Sequence, residues 1–442
     1  MIDRSGPARA GPARPRPAAT ITGIGLVTPL GASVDAFFDG LCTGRSGLRR
    51  PPADHPLAGI LPVAGFAPEI DPASVLPPTE SRWVDRFVVM AVAAADAALA
   101  DAGIMVGRDA DPERTAVVLA NSFGGMTLFE SQAVGRHQRG RTAVTPYLLG
   151  GMLPNMATAW ITIRHGVRGF SSAISTACAS GGYAVAEALR LVRDGLADVV
   201  VCGGTDAPLL PTVATTFRNV RALARDWPDN PTGASRPFDR RRGGFVLGEG
   251  AGVLVVERPE HADGRGAAGY ADLAGWGVAS DGHHPTMPRP DGSGAATAMR
   301  LALADAGRVP AEVGYVNAHA TGTKLGDVAE ARAIRAVFDG ASAPAVSSIK
   351  GATGHLLAGA GAVEVAATAL AVSRGRLPPT HNLDDPDPEC ELDHVRKAAR
   401  SAAIDAALSS SSAFGGHNVS VLLAQPSTRS RRATPTEADL GG

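Results

Sequence analysis

Residues Ser172–Leu196 read SAISTACASGGYAVAEALRLVRDGL and contain the first candidate reactive residue, Cys178. A short apolar segment leads to Cys178, small residues follow at 179–182, and an amphipathic helical pattern begins. A cysteine where a strand turns into a helix projects its sulfur from a tight bend. The start of the helix turns unpaired N–H groups and the positive end of its dipole towards that sulfur. We expect both effects to favour the thiolate, the reactive form of cysteine.

The same segment also fits a buried structural cysteine, which is the commoner fate of a lone cysteine in an apolar strand. The segment alone leaves the two interpretations open. Cys202 ends the apolar run VVVCGG with no helix start after it, so a structural role is predicted for that residue.

Short apolar patterns alternate with alanine-rich helical patterns on both sides of this segment. The predicted strands are Ala116–Leu119, Val199–Cys202, Gly252–Val256 and Tyr315–Asn317, and the predicted helices are Arg86–Ala102, Gly181–Gly195, Ala295–Ala306 and Ala329–Phe338. This alternation is typical of an α/β fold with covered sheets. We find no internal repeat of about 20 to 50 residues.

The ends of the chain differ from its interior. Residues 1–17 and 426–442 lack periodic apolar content and are predicted to be disordered tails. Glycine and charge interrupt two regular regions at Glu260–Ala267, which suggests one unit at 18–266 and a second at 267–425. The longest apolar run, Leu356–Val372, carries Glu364 at its centre and is short for a membrane span, so it is predicted to be a buried helix.

The composition narrows the classes of function. The chain has 442 residues, 45% of them hydrophobic, and a formal net charge of −1, so no global basic field favours nucleic acid. The four cysteines (Cys42, Cys178, Cys202 and Cys390) lie far apart without a CxxC pair, which argues against a disulfide framework and fits a reducing cytoplasm. The N-terminus has no apolar segment of a secretory signal, and no membrane association is predicted.

Two further segments carry reactive side chains. His319 lies in VNAHATGTKLGD (316–327), and Lys350 and His355 lie in SSIKGATGHLLAGAGAVE (347–364). Taken singly, each histidine fits a satisfied or surface residue, but both occupy small-residue turns at strand ends, where α/β proteins place reactive groups. A cysteine with two histidines could also bind zinc. No close pair of ligands exists apart from His283–His284, so no metal site is predicted.

Five motifs together resemble the elongating β-ketoacyl-acyl carrier protein synthases, the KAS I/KAS II type of fatty acid and type II polyketide synthesis. They are STACASG around Cys178, SRPFDRRRGGFVLGEGAG at Ser235–Gly252, NAHATGT at Asn317–Thr323, KGATGH at Lys350–His355 and SAFGGHN at Ser412–Asn418. The similarity extends from about Ala19 to Ala424. Their common order and spacing make a chance match negligible.

The resemblance implies a thiolase fold, in which two similar α/β halves form five αβαβα layers, and either a homodimer or a heterodimer with a chain-length-factor-like subunit. It makes Cys178 the acylated nucleophile, His319 and His355 the catalytic histidines, and Lys350 a supporting residue paired with Glu364. The resemblance further implies that four residues line the phosphopantetheine tunnel: Thr321, Thr323, His284 and Thr286. Phe414 would be the gate residue, and its backbone amide would form an oxyanion hole with that of Cys178.

The implied reaction is decarboxylative condensation of an acyl thioester with malonyl-acyl carrier protein, in fatty acid, polyketide or polyene synthesis. No metal or organic cofactor is implied, because the phosphopantetheine arm arrives on the carrier protein. Carrier proteins of this family are acidic, so Arg45, Arg218 and Arg221 are weak predictions for a docking rim. The chain departs from the family pattern at Ser412, Lys324 and Gly243, where a large aromatic residue, proline and aspartate are usual.

Three alternatives use other residues. A non-catalytic chain-length-factor-like subunit would lack the nucleophile that Cys178 provides. A CoA-dependent thiolase would need a second reactive cysteine, yet Cys390 lies in the polar stretch DDPDPECELD. Priming synthases use a Cys–His–Asn set instead of one cysteine and two histidines.

Overall fold

Ten strands form one mixed sheet in the computed structural model, which describes residues 18–224, 227, 230–426 and 430–431. The strands are β1 (Ala19–Val27), β2 (Thr115–Ala120), β3 (Ser171–Ile174), β4 (Val199–Asp206), β5 (Gly250–Glu257), β6 (Ala271–Ser280), β7 (Val313–Asn317), β8 (Ala345–Ser347), β9 (Ala406–Ser412) and β10 (His417–Ala424). Their order across the sheet is β8-β7-β9-β10-β6-β1-β5-β4-β2-β3.

The first five strands and the last five have the same topology. From the centre outward, the order β1-β5-β4-β2-β3 matches β6-β10-β9-β7-β8. In each half the outer pairs are parallel and the inner pairs antiparallel. The antiparallel β1–β6 pair joins the halves. The protein is therefore built from two copies of one α/β arrangement.

Nine longer helices surround and separate the two halves within the described residues. They are α1 (Val34–Thr43), α2 (Arg86–Ala102), α3 (Met126–Arg139), α4 (Met156–His165), α5 (Ser180–Arg193), α6 (Pro211–Asn219), α7 (Ser293–Ala306), α8 (Lys324–Phe338) and α9 (Ala360–Arg374). Helices α5 and α9 contact each other and strands of both halves, whereas α2 and α7 cover the outer faces. The two halves of the continuous sheet lie on either side of α5 and α9, so the layers run helix, half-sheet, helix, half-sheet, helix, which confirms the predicted αβαβα fold.

Shorter elements complete the description. The short α-helices are Pro72–Val75, Leu148–Met152, Pro259–Gly264 and Lys350–Thr353. The two-residue strand pairs are Leu48–Arg49 with Ala64–Gly65, Arg376–Leu377 with Arg400–Ser401, and Ala268–Gly269 with Ser430–Arg431. The tail prediction is therefore wrong at Ser430–Arg431. Of the other predicted tail residues, Pro426 is buried without regular structure, and 1–17, 427–429 and 432–442 lie outside the described residues.

Helix α9 is the core of the central layer. Every residue from Ala360 to Val372 is buried, as predicted for this run, because the helix has a sheet on two sides and α5 on a third. The helical stretch Leu357–Arg374 is long and apolar enough to cross a membrane by length and composition, and 89% of it is buried inside the protein.

The predicted elements are present, with ends that differ by up to five residues. The largest difference is in α8, which begins at Lys324 and not at Ala329. The segment before Cys178 is a strand, but it lies at the edge of the sheet, and its residues are exposed or half-buried. An edge strand has one unpaired side, so this face is open to another chain.

A short repeat relates the two outer helices. The sequence ALADAG occurs at 98–103 in α2 and at 302–307 in α7. Asp101 accepts the backbone N–H of Ile24 at 2.8 Å, and Asp305 accepts that of Trp276 at 3.1 Å. A Gly-x-Gly pair flanks each of these strand residues, at Gly23–Gly25 and Gly275–Gly277. The two halves thus share sequence as well as topology.

Substituting alanine for Gly25 should destabilise the protein by about 2–3 kcal/mol or more, since its Cβ would lie 1.9 Å from the carbonyl oxygen of Ala94 in α2. Chemical denaturation monitored by circular dichroism measures the effect. The control is Gly264→Ala, where nothing lies within 4 Å of the new Cβ. Equal midpoints for the two variants would contradict this account of the β1–α2 contact.

Candidate active site

Cys178 lies in the tight turn between β3 and α5. Ala177 has a φ of 49°, a left-handed conformation that is strained for a residue with a side chain. The Ser180 hydroxyl accepts the Thr176 N–H at 2.7 Å and donates to the Ala177 carbonyl at 2.6 Å, which holds the bend. The predicted strand-to-helix turn is confirmed, and Cys178 is partly exposed at its tip.

The electrostatics of the thiol differ from the expectation. Burial raises the pKa of Cys178 to about 12, the charge of Asp206 raises it further, and the charge of Lys350 opposes them. This direction is opposite to the expected effect of the helix start, because lost hydration favours the neutral thiol. The resting cysteine is a thiol at neutral pH.

The two predicted histidines meet. The ring centroids of His319 and His355 are 5.3 Å apart, with an angle of 83° between the ring planes. The backbone N–H groups of His319 and Ala320 each donate to the Glu330 carboxylate at 2.7 Å. His355 is held by its backbone N–H, which donates to the Val246 carbonyl at 2.8 Å. Two separate loops of the second half therefore place both imidazoles side by side.

Lys350 and Glu364 form the predicted ion pair, with both side chains almost completely buried. The Lys350 ammonium also lies 3.4 Å from Nδ1 of His319. An ammonium can only donate, so Nδ1 accepts and the proton of neutral His319 sits on Nε2. Burial and the charge of Lys350 hold the pKa of both His319 and His355 well below 6.5. Both rings are neutral hydrogen-bond donors at neutral pH.

Close backbone contacts bring the cysteine turn to the histidine loop. A Cβ on Gly181 would lie 2.7 Å from the carbonyl oxygen of Ala358, so the start of α5 rests directly on the segment that follows His355. Cys178, Phe245 and Leu357 pack in one apolar cluster. The ring of Phe245 meets that of His355 edge to face at 5.3 Å. The nucleophile of the first half and the histidines of the second half thus form one site.

The predicted tunnel and gate residues lie in two loops. Thr321 donates to the Thr323 hydroxyl at 3.2 Å just before α8. His284 and Thr286 are exposed in the loop after β6, which is tied to the Phe414 turn by the Gly415 N–H donating to the Pro285 carbonyl at 2.7 Å. Phe414 is 39% exposed between β9 and β10. The tunnel, gate and oxyanion-hole roles stay predictions.

The three arginines of the predicted docking rim are exposed and occupy two places. Arg45 donates to the carbonyls of Leu30 and Ala36. Arg218 donates to the Gly59 carbonyl at 3.3 Å, and Arg221 follows it at the end of α6. Their role in docking stays a prediction.

Two of the departures from the family pattern have visible contacts. Ser412 donates to Oδ1 of Asn418 at 2.7 Å and lines a cavity of about 50 Å³ that also contacts His319. Lys324 donates to the Arg240 carbonyl at 2.6 Å. Nothing in the structure explains Gly243.

Sequence reasoning missed the carboxylates that hold the histidine turn. Besides Glu330, Asp327 accepts the Gly322 N–H at 3.1 Å and the Phe238 N–H at 2.8 Å. Their spacing of three residues at the start of α8, directly after NAHATGT, places both on one helix face and was the available signal. Among the described residues, no group of three or more His, Cys, Asp or Glu is placed to hold a metal ion.

Comparison with known families agrees with this geometry. The profile of the β-ketoacyl synthase N-terminal domain matches residues 18–262, and that of the β-ketoacyl synthase C-terminal domain matches residues 270–384. The 3-oxoacyl-[acyl-carrier-protein] synthase 2 of Rhizobium meliloti is 41% identical over 411 residues, 91% of this chain and 97% of that protein. The protein of the same name from Synechocystis sp. is 39% identical over 403 residues, 91% of this chain and 96% of that one.

Solved structures show the same fold. A β-ketoacyl synthase from Burkholderia phymatum superposes with a TM-score of 0.84 at 34% identity, and the ishigamide ketosynthase/chain length factor with 0.85 at 32% identity. A ketosynthase of a type II polyketide synthase, in complex with its acyl-carrier protein and bound to the hexaketide, gives 0.86 at 29% identity. Each match covers 93% of this chain and 100% of the other. With matching profiles over most of its length and the cysteine–histidine–histidine site in place, the chain belongs to the β-ketoacyl synthase family.

Proposed function

We propose that the protein condenses an acyl thioester with a malonyl thioester, both borne by an acyl carrier protein, and that Cys178 is the acylated nucleophile. The observation that carries the proposal is the pair of neutral imidazoles, 5.3 Å apart, with Lys350 donating to His319. Acyl transfer alone needs one histidine, whereas stabilising an enolate benefits from two donors.

In the first step Cys178 captures the acyl group. The sulfur attacks the thioester carbonyl, and the tetrahedral intermediate collapses with release of the pantetheine thiol, which takes the proton that the cysteine loses. Because the resting group is a thiol, deprotonation accompanies attack instead of preceding it. Backbone amides of Cys178 and Phe414 are the donors that we assign to the oxyanion, each worth about 3–4 kcal/mol in such a role.

In the second step the malonyl thioester loses CO2. The electron pair of the broken C–C bond moves to the thioester oxygen as an enolate, and Nε2–H of His319 and the ring of His355 donate to that oxygen. The enolate carbon then attacks the acyl-cysteine carbonyl, a new C–C bond forms, and the Cys178 thiolate leaves. The thiolate takes a proton from solvent, which restores the resting thiol. We expect no metal or organic cofactor, since the substrates supply every electron pair and solvent supplies this one proton.

The alternatives fit the site less well. A thiolase would need Cys390 near Cys178, but Cys390 is buried in a different apolar cluster with Phe238 and Leu383. A purely structural chain-length factor would not need the buried Lys350–Glu364 pair beside two neutral histidines. Both considerations favour the condensing enzyme.

The partner that we propose for the edge of the sheet is a second chain of the same fold, either a copy of this one or a chain-length-factor-like subunit. Edge strand β3 leaves one side unpaired. Exposed large apolar side chains accompany the nearby helices and this strand: Phe129, Tyr147, Leu149, Leu153, Ile163 and Phe170. An apolar surface beside an open strand is typical of a subunit interface. The carrier protein would then approach the separate arginine loops as substrate.

The chemistry is tested with acyl- and malonyl-acyl carrier protein as substrates. Cys178→Ala should abolish condensation, and His319→Ala should still form the acyl-enzyme but release CO2 about 10²–10³-fold more slowly, since an enolate donor is lost. Mass spectrometry follows the acyl-enzyme, and product is measured by chromatography. Cys202→Ala, in the buried core, is the control. Condensation by the Cys178→Ala protein would refute the mechanism.

The thiol state is tested by alkylation of Cys178 with iodoacetamide. A pKa near 12 means that the thiolate fraction, and so the rate, should rise about tenfold per pH unit from pH 7 to 9 without a plateau. Cys178→Ala gives the background from the other cysteines. A plateau below pH 8 would show a thiolate at rest and a different activation of the nucleophile.

The interface is tested by native mass spectrometry of the purified 45.0 kDa chain, alone and with a co-expressed ketosynthase-like subunit. We expect a dimer in one of the two samples. Ile163→Asp, at a side chain 67% exposed, should convert it to monomer because a charge cannot be buried there without a partner. The control is Val309→Asp, 57% exposed in the second half. A dimer unchanged by Ile163→Asp would place the interface elsewhere.

A further inference from the structure

Asp206, the last residue of β4, carries a buried carboxylate bound by neutral groups from two parts of the chain. Its Oδ1 accepts from Nδ2 of Asn121 at 3.1 Å and from the backbone N–H groups of Ser122 and Phe123 at 3.4 Å. Its Oδ2 accepts from the Ser122 hydroxyl and from the Ala358 N–H at 2.9 Å. The side chain is completely buried, and none of the ion pairs among the described residues includes it.

Such an arrangement is costly, because a buried carboxylate loses its hydration and here gains no cation in return. Burial raises the pKa of Asp206 to about 6 in spite of these donors. A carboxylate offers two oxygens that only accept, so it can collect several converging N–H and O–H groups where an amide cannot. We therefore expect Asp206 to matter for the two backbone segments that its donors belong to, Asn121–Phe123 and the loop at Ala358.

The donors flank the cysteine on two sides. Phe123 packs against the same apolar cluster as Cys178. Ala358 belongs to the second half of the protein and follows Leu357, whose φ of 51° is strained for a residue with a side chain. The strand that ends at Asp206 also supports this loop, since a Cβ on Gly204 would lie 2.3 Å from the Ala358 carbonyl oxygen.

We propose that Asp206 is a positioning residue for condensation, which fixes the loop of His355 against the Cys178 turn by binding the Ala358 amide and the Ser122–Phe123 backbone at once. Ala358 lies three residues after His355, so a shift of this amide moves the imidazole relative to the sulfur. The inference rests on the roles proposed above for Cys178 and His355.

This role has a signature that a merely structural carboxylate would lack. The charge of Asp206 disfavours the Cys178 thiolate, together with Glu364 and against Lys350, the charged groups that act on this sulfur. Removing the charge should make the thiol easier to deprotonate, while loosening the histidine loop should slow the second step. The first effect should leave acylation of Cys178 unchanged or speed it up, and the second should slow condensation. Measuring the two steps separately therefore distinguishes the effects.

The test is Asp206→Asn, a change that keeps shape but leaves only one accepting oxygen. Acylation of Cys178 by acyl-acyl carrier protein should stay within threefold of the wild type or become faster. The kcat of condensation should fall at least tenfold, with a smaller change in the KM for malonyl-acyl carrier protein. Alkylation of Cys178 by iodoacetamide at pH 8 should be faster than in the wild type.

Asp272→Asn is the matched control, a buried carboxylate that accepts the Thr20 hydroxyl at 2.7 Å. Asp272 pairs with Thr20, which pairs with Glu257 at one end of β5, and Asp206 pairs with Gly250 at the other end. The two aspartates are therefore about 20 Å apart along the strand direction. We expect wild-type condensation and alkylation from the control.

The inference is overturned if Asp206→Asn condenses within twofold of the wild type, or if capture and condensation fall by the same factor without faster alkylation. If that variant does not fold, Ser122→Ala removes one hydrogen bond to Oδ2 and should show a smaller selective loss of condensation; a loss of capture instead would overturn it. Failure of the proposed function would appear separately, as condensation by Cys178→Ala.

Discussion

The site depends on a direct backbone contact between the two halves of the protein. The start of α5 and the segment after His355 approach so closely that neither can carry a side chain at the points of contact. A Cβ on Gly181 would meet the Ala358 oxygen at 2.7 Å, and one on Gly361 would meet the Gly182 nitrogen at 2.6 Å. The first half supplies the thiol of Cys178, and the second half supplies the imidazoles of His319 and His355. The glycines allow the parts to reach one substrate.

The electrostatic consequence is a site whose reacting groups are uncharged at rest. Taking this contact out of water raises the pKa of Cys178 and lowers those of the two histidines. Lys350, the buried cation beside His319, is balanced by Glu364, whose own pKa burial raises to about 7. Negative charge therefore appears only during the reaction, first on an oxyanion and then on an enolate, in a medium where fixed donors act strongly.

Sequence patterns predicted the fold class, the cysteine turn and the histidine and lysine positions, because these residues lie in short motifs at strand ends. Those patterns did not themselves reveal the duplication, which only the family resemblance implied, since matches such as ALADAG and the Gly-x-Gly pairs are too short to show a repeat. They also missed Asp206 and Glu330. Glu330 lies near His319 in the chain and shares a helical spacing with Asp327, so a local signal existed for it. Asp206 binds the Ala358 N–H far away in the chain and leaves no local pattern, and the pKa of a thiol depends on burial that only the folded chain has.

The duplication explains how one local turn serves two purposes. The central helices α5 and α9 are each preceded, three residues before they begin, by a side-chain-bearing residue in the left-handed region: Ala177 with φ 49° and Leu357 with φ 51°. In the first half the next residue is Cys178, at the tip of the turn. In the second half it is Ala358, whose amide is bound by Asp206. In the first half this strained bend therefore presents Cys178. In the second half the same bend is where Asp206 of the first half binds the loop that carries His355.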